Sequence, residues 1–175
     1  MKLALLFLFT LTSALGQWRS TLEARLKTYG HRNWIVVADS AYPLQSNPGI
    51  ETILSGESQV ETIRHVFESL ARVQHLRPVV YTDHELSYVS DEDAPGIDAY
   101  RHLLNGMFET YLKDQKPVTN TLHANIIAML DNAAKTYNVL IIKTNMALPY
   151  TSVFFELRAG YWGDDAERRL REMIH

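Results

Sequence analysis

The chain has 175 residues, of which 46% are hydrophobic and 21% are charged. This length is enough for one domain with a substantial core and short for two, so we expect a single globular domain. The formal net charge is -3 and the 17 Lys and Arg residues are scattered along the chain, which argues against a nucleic-acid-binding protein and favours a small neutral or polar ligand.

The first 16 residues have the pattern of a secretory signal peptide. Lys2 is their only basic residue, a mostly apolar stretch covers residues 3–11, and Ala14 and Gly16 have the spacing of a signal-peptidase site. A membrane anchor is the less favoured interpretation, because the apolar stretch is short for a membrane span. We therefore predict a signal peptide at residues 1–16, a mature α/β domain at residues 17–175, and a secreted or periplasmic location without membrane attachment.

Hydrophobic periodicity predicts alternating helices and strands along the mature chain. Apolar residues recur at helical spacing over residues 18–29 and stop at Gly30, a typical helix end. Residues 34–38, WIVVA, form a short run of the kind that is buried on both faces of a sheet. Residues 40–56 have the composition of a loop, broken by a short apolar patch at residues 50–54. The further predicted elements are helices over residues 60–70, 97–111, 126–134 and 164–174, and strands over residues 77–83, 116–123, 138–144 and 152–157.

This alternation predicts a single-domain α/β sandwich with a largely parallel sheet flanked by helices. Ligands of such sheets bind at the carboxyl ends of the strands. Asp39 follows the WIVVA strand, His123 follows the 116–121 segment, and Tyr150 lies between the last two strands, so these three residues should meet at that edge. His31 precedes the first strand and lies at the opposite end, where only the packing of two subunits could bring it to the others.

Each candidate residue also has a structural interpretation. His31 could be a helix-cap partner, Asp39 could bond the amides of the turn that follows it, and Tyr150 could be an ordinary packed aromatic. The chain contains none of the motifs G-x-x-x-x-G-K-[ST], G-x-G-x-x-G and G-x-S-x-G, and no cysteine. Residues 83–85, DHE, are potential metal ligands, but adjacent residues in a strand point to opposite faces, so we expect no metal site.

The segment LKTYGHRNWIVVADSAYP, residues 26–43, resembles the sugar mutarotase family that contains D-ribose pyranase and L-fucose mutarotase. That family has a helix ending in Gly-His, a short polar stretch, an apolar strand, an Asp and then a Pro; Gly30, His31, Asp39 and Pro43 fall in register with it. Two looser matches are LPYTSVFFELRAG, similar to the family's closing segment, and NTLHANI, similar to its Thr-x-His. The resemblance covers residues 22–43 well and residues 118–162 loosely.

The resemblance implies a monosaccharide mutarotase, a pyranase-like isomerase without cofactor or metal that interconverts anomers or ring forms by histidine general acid/base catalysis. It assigns the catalytic role to His31 and sugar binding to Asp39, His123, Tyr150 and Ser152. Ser152 stands where the family has Asn, which keeps a hydroxyl donor but loses the reach of the amide. It also implies a ring-shaped homo-oligomer with sites between subunits, which would bring His31 to the other residues. The export signal and the helix after Gly160 depart from the familiar cytoplasmic members.

Two other functions are also compatible with the sequence. One is a non-catalytic monosaccharide-binding protein with the same pocket, used for capture or sensing outside the cytoplasm. The other is an exported α/β domain in which His31 and Asp39 are structural and the function lies in residues 83–98 or in the terminal helix.

Overall fold

A computed structural model describes residues 3–113 and 118–174, with side chains from Gly16 onward. Its helices are α1 (Leu3–Thr28), α2 (Gln59–Ala71), α3 (Ile97–Tyr111), α4 (His123–Ala133) and α5 (Asp164–Ile174). Its strands are β1 (Trp34–Ala38), β2 (Ile50–Leu54), β3 (Leu76–Asp83), β4 (Thr119–Thr121), β5 (Val139–Lys143) and β6 (Val153–Ala159), and a short 3₁₀ helix covers His84–Tyr88. The order of elements confirms the predicted alternation of strands and helices.

The strands of the described chain form one six-stranded sheet in the order β2-β5-β1-β6-β3-β4. Strand β6 is antiparallel to both of its neighbours, β1 and β3, whereas the other three pairs are parallel. Five strands therefore run in the same direction, which confirms the largely parallel sheet. Their carboxyl ends and the start of β6 lie together at one edge, which we call the carboxyl edge.

Helices cover both faces of the sheet, as the sandwich prediction required. Apolar side chains of α1, α2 and α3 pack on one face, and α4 packs on the other. All five residues of β1 are buried, because alternate side chains enter the two cores: Ile35 and Val37 the first, Trp34 and Val36 the second. A strand buried on both faces reads as a continuous apolar run.

Residues 50–54 differ from the prediction of an apolar patch in a loop. They form β2, which pairs in parallel with β5 from Ile50 opposite Val139 to Leu54 opposite Lys143. The strand lies at the sheet margin and its side chains are half-buried or exposed. Because edge strands bury little apolar surface, the local sequence carries only a weak signal for this one.

Two predictions extend beyond the described residues. The predicted strand over residues 116–123 begins with residues 116 and 117, which lie outside the described residues. Within it, Thr119–Thr121 form β4, and His123 is the first residue of α4. Of the predicted signal peptide, residues 1 and 2 lie outside them, and helix α1 continues through Gly16, so cleavage there stays a prediction. Among the described residues, no helix has the length and apolar character needed to cross a membrane.

The start of β2 provides a test of the packing. A Cβ added to Gly49 would lie 2.2 Å from the carbonyl oxygen of Ala134, so the backbone would have to shift. We expect Gly49→Ala to destabilise the fold by about 1–3 kcal/mol, the usual cost of overpacking. Urea denaturation measures this effect.

The matched control is Gly106→Ala in α3, where an added Cβ meets no atom within 4 Å. Alanine is the better helix former by about 0.5–1 kcal/mol, so this variant should be more stable than the wild type. Equal denaturation midpoints for wild type and Gly49→Ala would contradict the close approach of β2 to the end of α4.

Candidate functional site

Asp39 lies directly after β1 at the carboxyl edge, and both of its carboxylate oxygens accept hydrogen bonds. Oδ1 accepts from the amide of Ala41 at 2.9 Å, and Oδ2 accepts from the hydroxyl of Ser152 at 3.1 Å. Ser152 is buried immediately before β6, whereas Asp39 is half-buried. Asp39 therefore caps the turn, as its structural interpretation proposed. The same carboxylate also contacts Ser152, to which the family resemblance assigns sugar binding.

His123 begins α4 and is held by two acidic residues. Its ring Nδ1 lies 3.0 Å from Oδ1 of Asp83, the last residue of β3. Its backbone amide donates to both carboxylate oxygens of Glu85, at 3.1 and 3.0 Å, which satisfies an amide that has no partner within the helix and suits the positive end of the helix dipole. The His123 side chain remains 41% exposed while that of Asp83 is 1% exposed, so the imidazole is accessible and its partner is not.

The buried carboxyl of Asp83 is a weaker acid than an ordinary aspartate side chain, because its pKa is raised. Burial raises the pKa of Asp83 to about 6; the hydrogen bond and charge of His123 oppose this rise, and the negative charges of Glu85 and Asp39 add to it. Oδ2 of Asp83 is buried and has no hydrogen-bond partner among the described residues. A carboxyl of this kind next to an imidazole can change its protonation close to neutral pH.

Tyr150 packs beside His123, with their ring centroids 5.7 Å apart and their planes at 79°. Its backbone φ is 57°, in the left-handed region that residues other than glycine seldom occupy. Such a conformation costs free energy and persists only where the surrounding structure imposes it. The Tyr150 ring is 39% exposed, so the loop holds an aromatic face at the mouth of the site.

A buried polar network beneath the site fixes the loop between β5 and β6. The amide of Gln59 donates to the carbonyls of Thr151 at 2.8 Å and Val37 at 3.2 Å. The hydroxyl of Thr144 donates to the Gln59 carbonyl at 2.6 Å, and the hydroxyl of Tyr100 donates to the Thr151 carbonyl at 2.6 Å. Because buried polar groups are costly when unpaired, this network ties the loop firmly to α2, α3 and β1.

The structure brings together four of the five residues expected at the site: Asp39, His123, Tyr150 and Ser152. His31 lies elsewhere, exposed in the turn between α1 and β1. The adjacent amide of Arg32 donates to Leu157 near the far end of β6, which places this turn at the opposite edge of the sheet. Since a five-residue strand spans about 16 Å, His31 of one chain does not join the site of the same chain.

Sequence reasoning missed Asp83 and Glu85 as partners of His123. The sequence placed both residues among potential metal ligands and within the alternative functional segment 83–98, with no predicted contact to His123. No group of three or more His, Cys, Asp or Glu side chains in the described ranges is arranged to hold a metal ion. The available signal was positional, since Asp83 ends a strand whose carboxyl end reaches the same edge as Asp39. Gln59 was also missed, because a polar residue at the start of an amphipathic helix is usually exposed.

Comparison with known proteins gives matches of structure and none of sequence. No protein-family model matches the chain, and no curated protein matches it. RbsD from Bacillus subtilis, solved with D-ribose, has 18% identity and a TM-score of 0.54, with 82% of this chain and 94% of that chain covered. The fucose mutarotase of Streptococcus pneumoniae, solved with L-fucose, has 20% identity, a TM-score of 0.53 and coverage of 78% and 89%. FucU from Bifidobacterium longum has 16% identity, a TM-score of 0.53 and coverage of 80% and 94%. The chain thus has the RbsD/FucU-like fold that the resemblance predicted.

Asp83 should make the folded state less stable as the pH rises. Its pKa is about 6 in the folded protein and about 3.9 in an unfolded chain, so folding is favoured while the carboxyl is protonated and loses this contribution as the pH passes 6. Asp83→Asn cannot ionise. We therefore expect the unfolding free energy of Asp83→Asn, relative to the wild type, to rise by up to about 3 kcal/mol between pH 4 and pH 7.5.

Urea denaturation at the two pH values measures this difference. Asp165→Asn in α5, where the aspartate side chain is 78% exposed, is the control for the loss of one negative charge. If the unfolding free energies of Asp83→Asn and wild type differ by the same amount at both pH values, Asp83 has an ordinary pKa in the folded protein.

Proposed function

We propose that the protein binds a monosaccharide at the carboxyl edge and interconverts its anomers or ring forms, as a mutarotase that needs no cofactor. The observation that carries this proposal is the convergence of Asp39, Ser152, His123 and Tyr150 in one chain; the sequence predicts three of them, Asp39, His123 and Tyr150, from their places at strand ends. The ligands of the similar structures, D-ribose and L-fucose, support the same chemical class.

The proposed contacts suit the hydroxyl groups and the apolar ring face of a sugar. The Asp39 carboxylate accepts hydrogen bonds from sugar hydroxyls, and the Ser152 hydroxyl can both donate and accept. The exposed ring of Tyr150 offers an apolar surface of the kind that lines small-molecule sites. His123 adds a further polar group that remains accessible beside it.

Interconversion of anomers requires two proton transfers and one bond rotation. The anomeric hydroxyl loses its proton, the bond from C1 to the ring oxygen breaks, and the ring oxygen gains a proton. The exposed aldehyde then rotates and the ring closes with the opposite configuration. Histidine is the side chain whose ordinary pKa of about 6.5 suits both directions of transfer, and a positioned acid or base accelerates such steps by roughly 10²–10⁴-fold.

His31 is proposed as the catalytic acid/base of this reaction, supplied by another subunit. It is exposed at the edge of the sheet opposite Asp39, so a homo-oligomer that joins the two edges would complete each site with a residue from a neighbour. The proposed assembly is the ring-shaped homo-oligomer implied by the family resemblance. Export after cleavage of residues 1–16 is proposed on the sequence pattern alone.

A monosaccharide-binding protein without turnover is the second candidate. One observation favours it: the four proposed sugar contacts are complete within a single chain, whereas His31 is not among them. Such a protein would bind sugars with the same residues and leave their mutarotation rate unchanged.

The charge of the site should discriminate between sugars. The carboxylates of Asp83 and Glu85 contact His123, and the charge of Asp39 acts on Asp83, so a dianionic phosphate group on the substrate would be repelled. We expect D-ribose 5-phosphate to bind at least about tenfold more weakly than D-ribose, since about 1.4 kcal/mol of like-charge repulsion gives that factor. Calorimetric titration of both sugars measures this ratio, and tighter binding of the phosphate ester would contradict an acidic sugar site.

The proposed function is tested by saturation-transfer NMR of ribose, fucose, galactose and glucose. The wild type should accelerate exchange between the anomers of at least one of them. Asp39→Asn should lose binding, and His31→Ala should lower the rate by about 10²-fold or more. His102→Ala, which alters an exposed histidine of α3, should retain the wild-type rate. Unchanged catalysis in His31→Ala would remove that residue from the mechanism, and binding without acceleration by the wild type would establish the second candidate.

A further inference from the structure

His123 is fixed at its ring by Asp83 and at its backbone by Glu85, and the ring contact determines which ring nitrogen faces the site. Nδ1 lies 3.0 Å from Asp83, whose side chain is 1% exposed and cannot turn to water. The backbone amide is fixed by both oxygens of Glu85. Among the described residues none hydrogen-bonds Nε2, and the side chain is 41% exposed. Nε2 is therefore the nitrogen available to a ligand.

We propose that Asp83 is a positioning residue that keeps the proton of neutral His123 on Nδ1, so that Nε2 serves as a second proton carrier for the sugar bound at the carboxyl edge. This inference rests on the proposed function of the site. It adds to His31 a proton carrier that each chain supplies to its own site.

The chemistry follows from what an ionised carboxylate can do. A carboxylate only accepts hydrogen bonds, so the facing Nδ1 must carry the proton and Nε2 must hold the lone pair. A carboxylate that orients an imidazole in this way also stabilises the imidazolium that forms when Nε2 takes up a proton. Asp83 acts through His123 and touches no reacting atom.

Ring opening then needs two proton carriers, one that accepts a proton from the sugar and one that donates a proton to it. The proton of the anomeric hydroxyl passes to Nε2 of His123, and that oxygen becomes the carbonyl oxygen of the aldehyde. As the bond from C1 to the ring oxygen breaks, its electron pair stays on the ring oxygen, which takes a proton from the second carrier, proposed above as His31 of another subunit. Ring closure returns both protons in the reverse sense, so the enzyme ends as it began.

Other titratable groups bear on Asp83 and set the pH at which the arrangement works. Those whose charge or hydrogen bond affects it come from α4, the 3₁₀ helix and the end of β1: His123, Glu85 and Asp39. The negative charge of Asp83 also contributes to the raised pKa values of Tyr42 and Tyr100. Arg101 and Glu109 of α3 line the cavity of about 360 Å³ that Asp83 borders. Because the pKa of Asp83 is about 6, the ionised carboxylate needed for this role is lost below that pH, and the Asp83–His123 pair titrates as a unit.

The tautomer of His123 tests the proposal without any sugar. Nitrogen chemical shifts of the full chain labelled with ¹⁵N-histidine distinguish protonation at Nδ1 from protonation at Nε2, and the His123→Gln spectrum assigns the signals. We expect neutral His123 to carry its proton on Nδ1 at pH 7.5. In Asp83→Asn, whose amide can accept or donate, we expect a mixture of tautomers. Protonation of Nε2 in the wild type, or an unchanged tautomer in the variant, would overturn the proposal.

Kinetics provide a second readout that a purely structural role would not change. Asp83→Asn should lower kcat at least about tenfold, change KM by less than about twofold, and move the fall of kcat in acid to lower pH, because the imidazolium of His123 loses the carboxylate that stabilises it. Equal loss at all pH values, with the acid limb at its wild-type position, would overturn the proposal. If the wild type mutarotates no sugar, the proposed function fails, while the tautomer measurement still decides the role of Asp83.

Discussion

The direction of the strands is the constraint on which the site depends. Five strands run one way, so their carboxyl ends deliver Asp39, Asp83 and the start of α4 to a single edge. Strand β6 runs against both neighbours, so the loop before it, with Tyr150 and Ser152, reaches that edge as well. If β6 were parallel to β1, that loop would lie at the opposite edge and the Asp39–Ser152 hydrogen bond could not form. One antiparallel strand thus completes the site.

Two features of the carboxyl edge are unfavourable for the stability of the fold. Asp83 is buried with one oxygen unpaired among the described residues, and Tyr150 has a left-handed backbone. Each feature is unfavourable by itself and persists because the buried Gln59 network and the two hydrophobic cores hold the surrounding segments in place. Groups whose protonation is shifted by burial and by neighbouring charges are concentrated at functional sites, which is a physical reason to seek the chemistry here.

Sequence patterns predicted those parts of the structure whose cause is local. The WIVVA run predicted β1 because both of its faces are buried, and Asp39 followed from it. Strand β2 was missed because its stability comes from pairing with β5, about 90 residues further along the chain. The Asp83–His123 bond was also missed, since it depends on the pairing of β3 with β4 across about 40 residues. The positive φ of Tyr150 has no signature in LPYTS, because it is imposed by contacts with the loop's distant neighbours.

His31 and His123 lie at opposite edges of one sheet and differ in whether they need a second subunit to reach the site. Contact between the His31 edge of one subunit and the Asp39 edge of another joins two different surfaces. An isologous pair in antiparallel orientation completes two such sites at once, whereas a head-to-tail contact completes every site only if the chain of subunits closes into a ring. A role for His31 therefore requires assembly and weakens on dilution. His123 and Asp83 belong to one chain, so their geometry survives dissociation, and a dilution series separates the contributions of the two histidines.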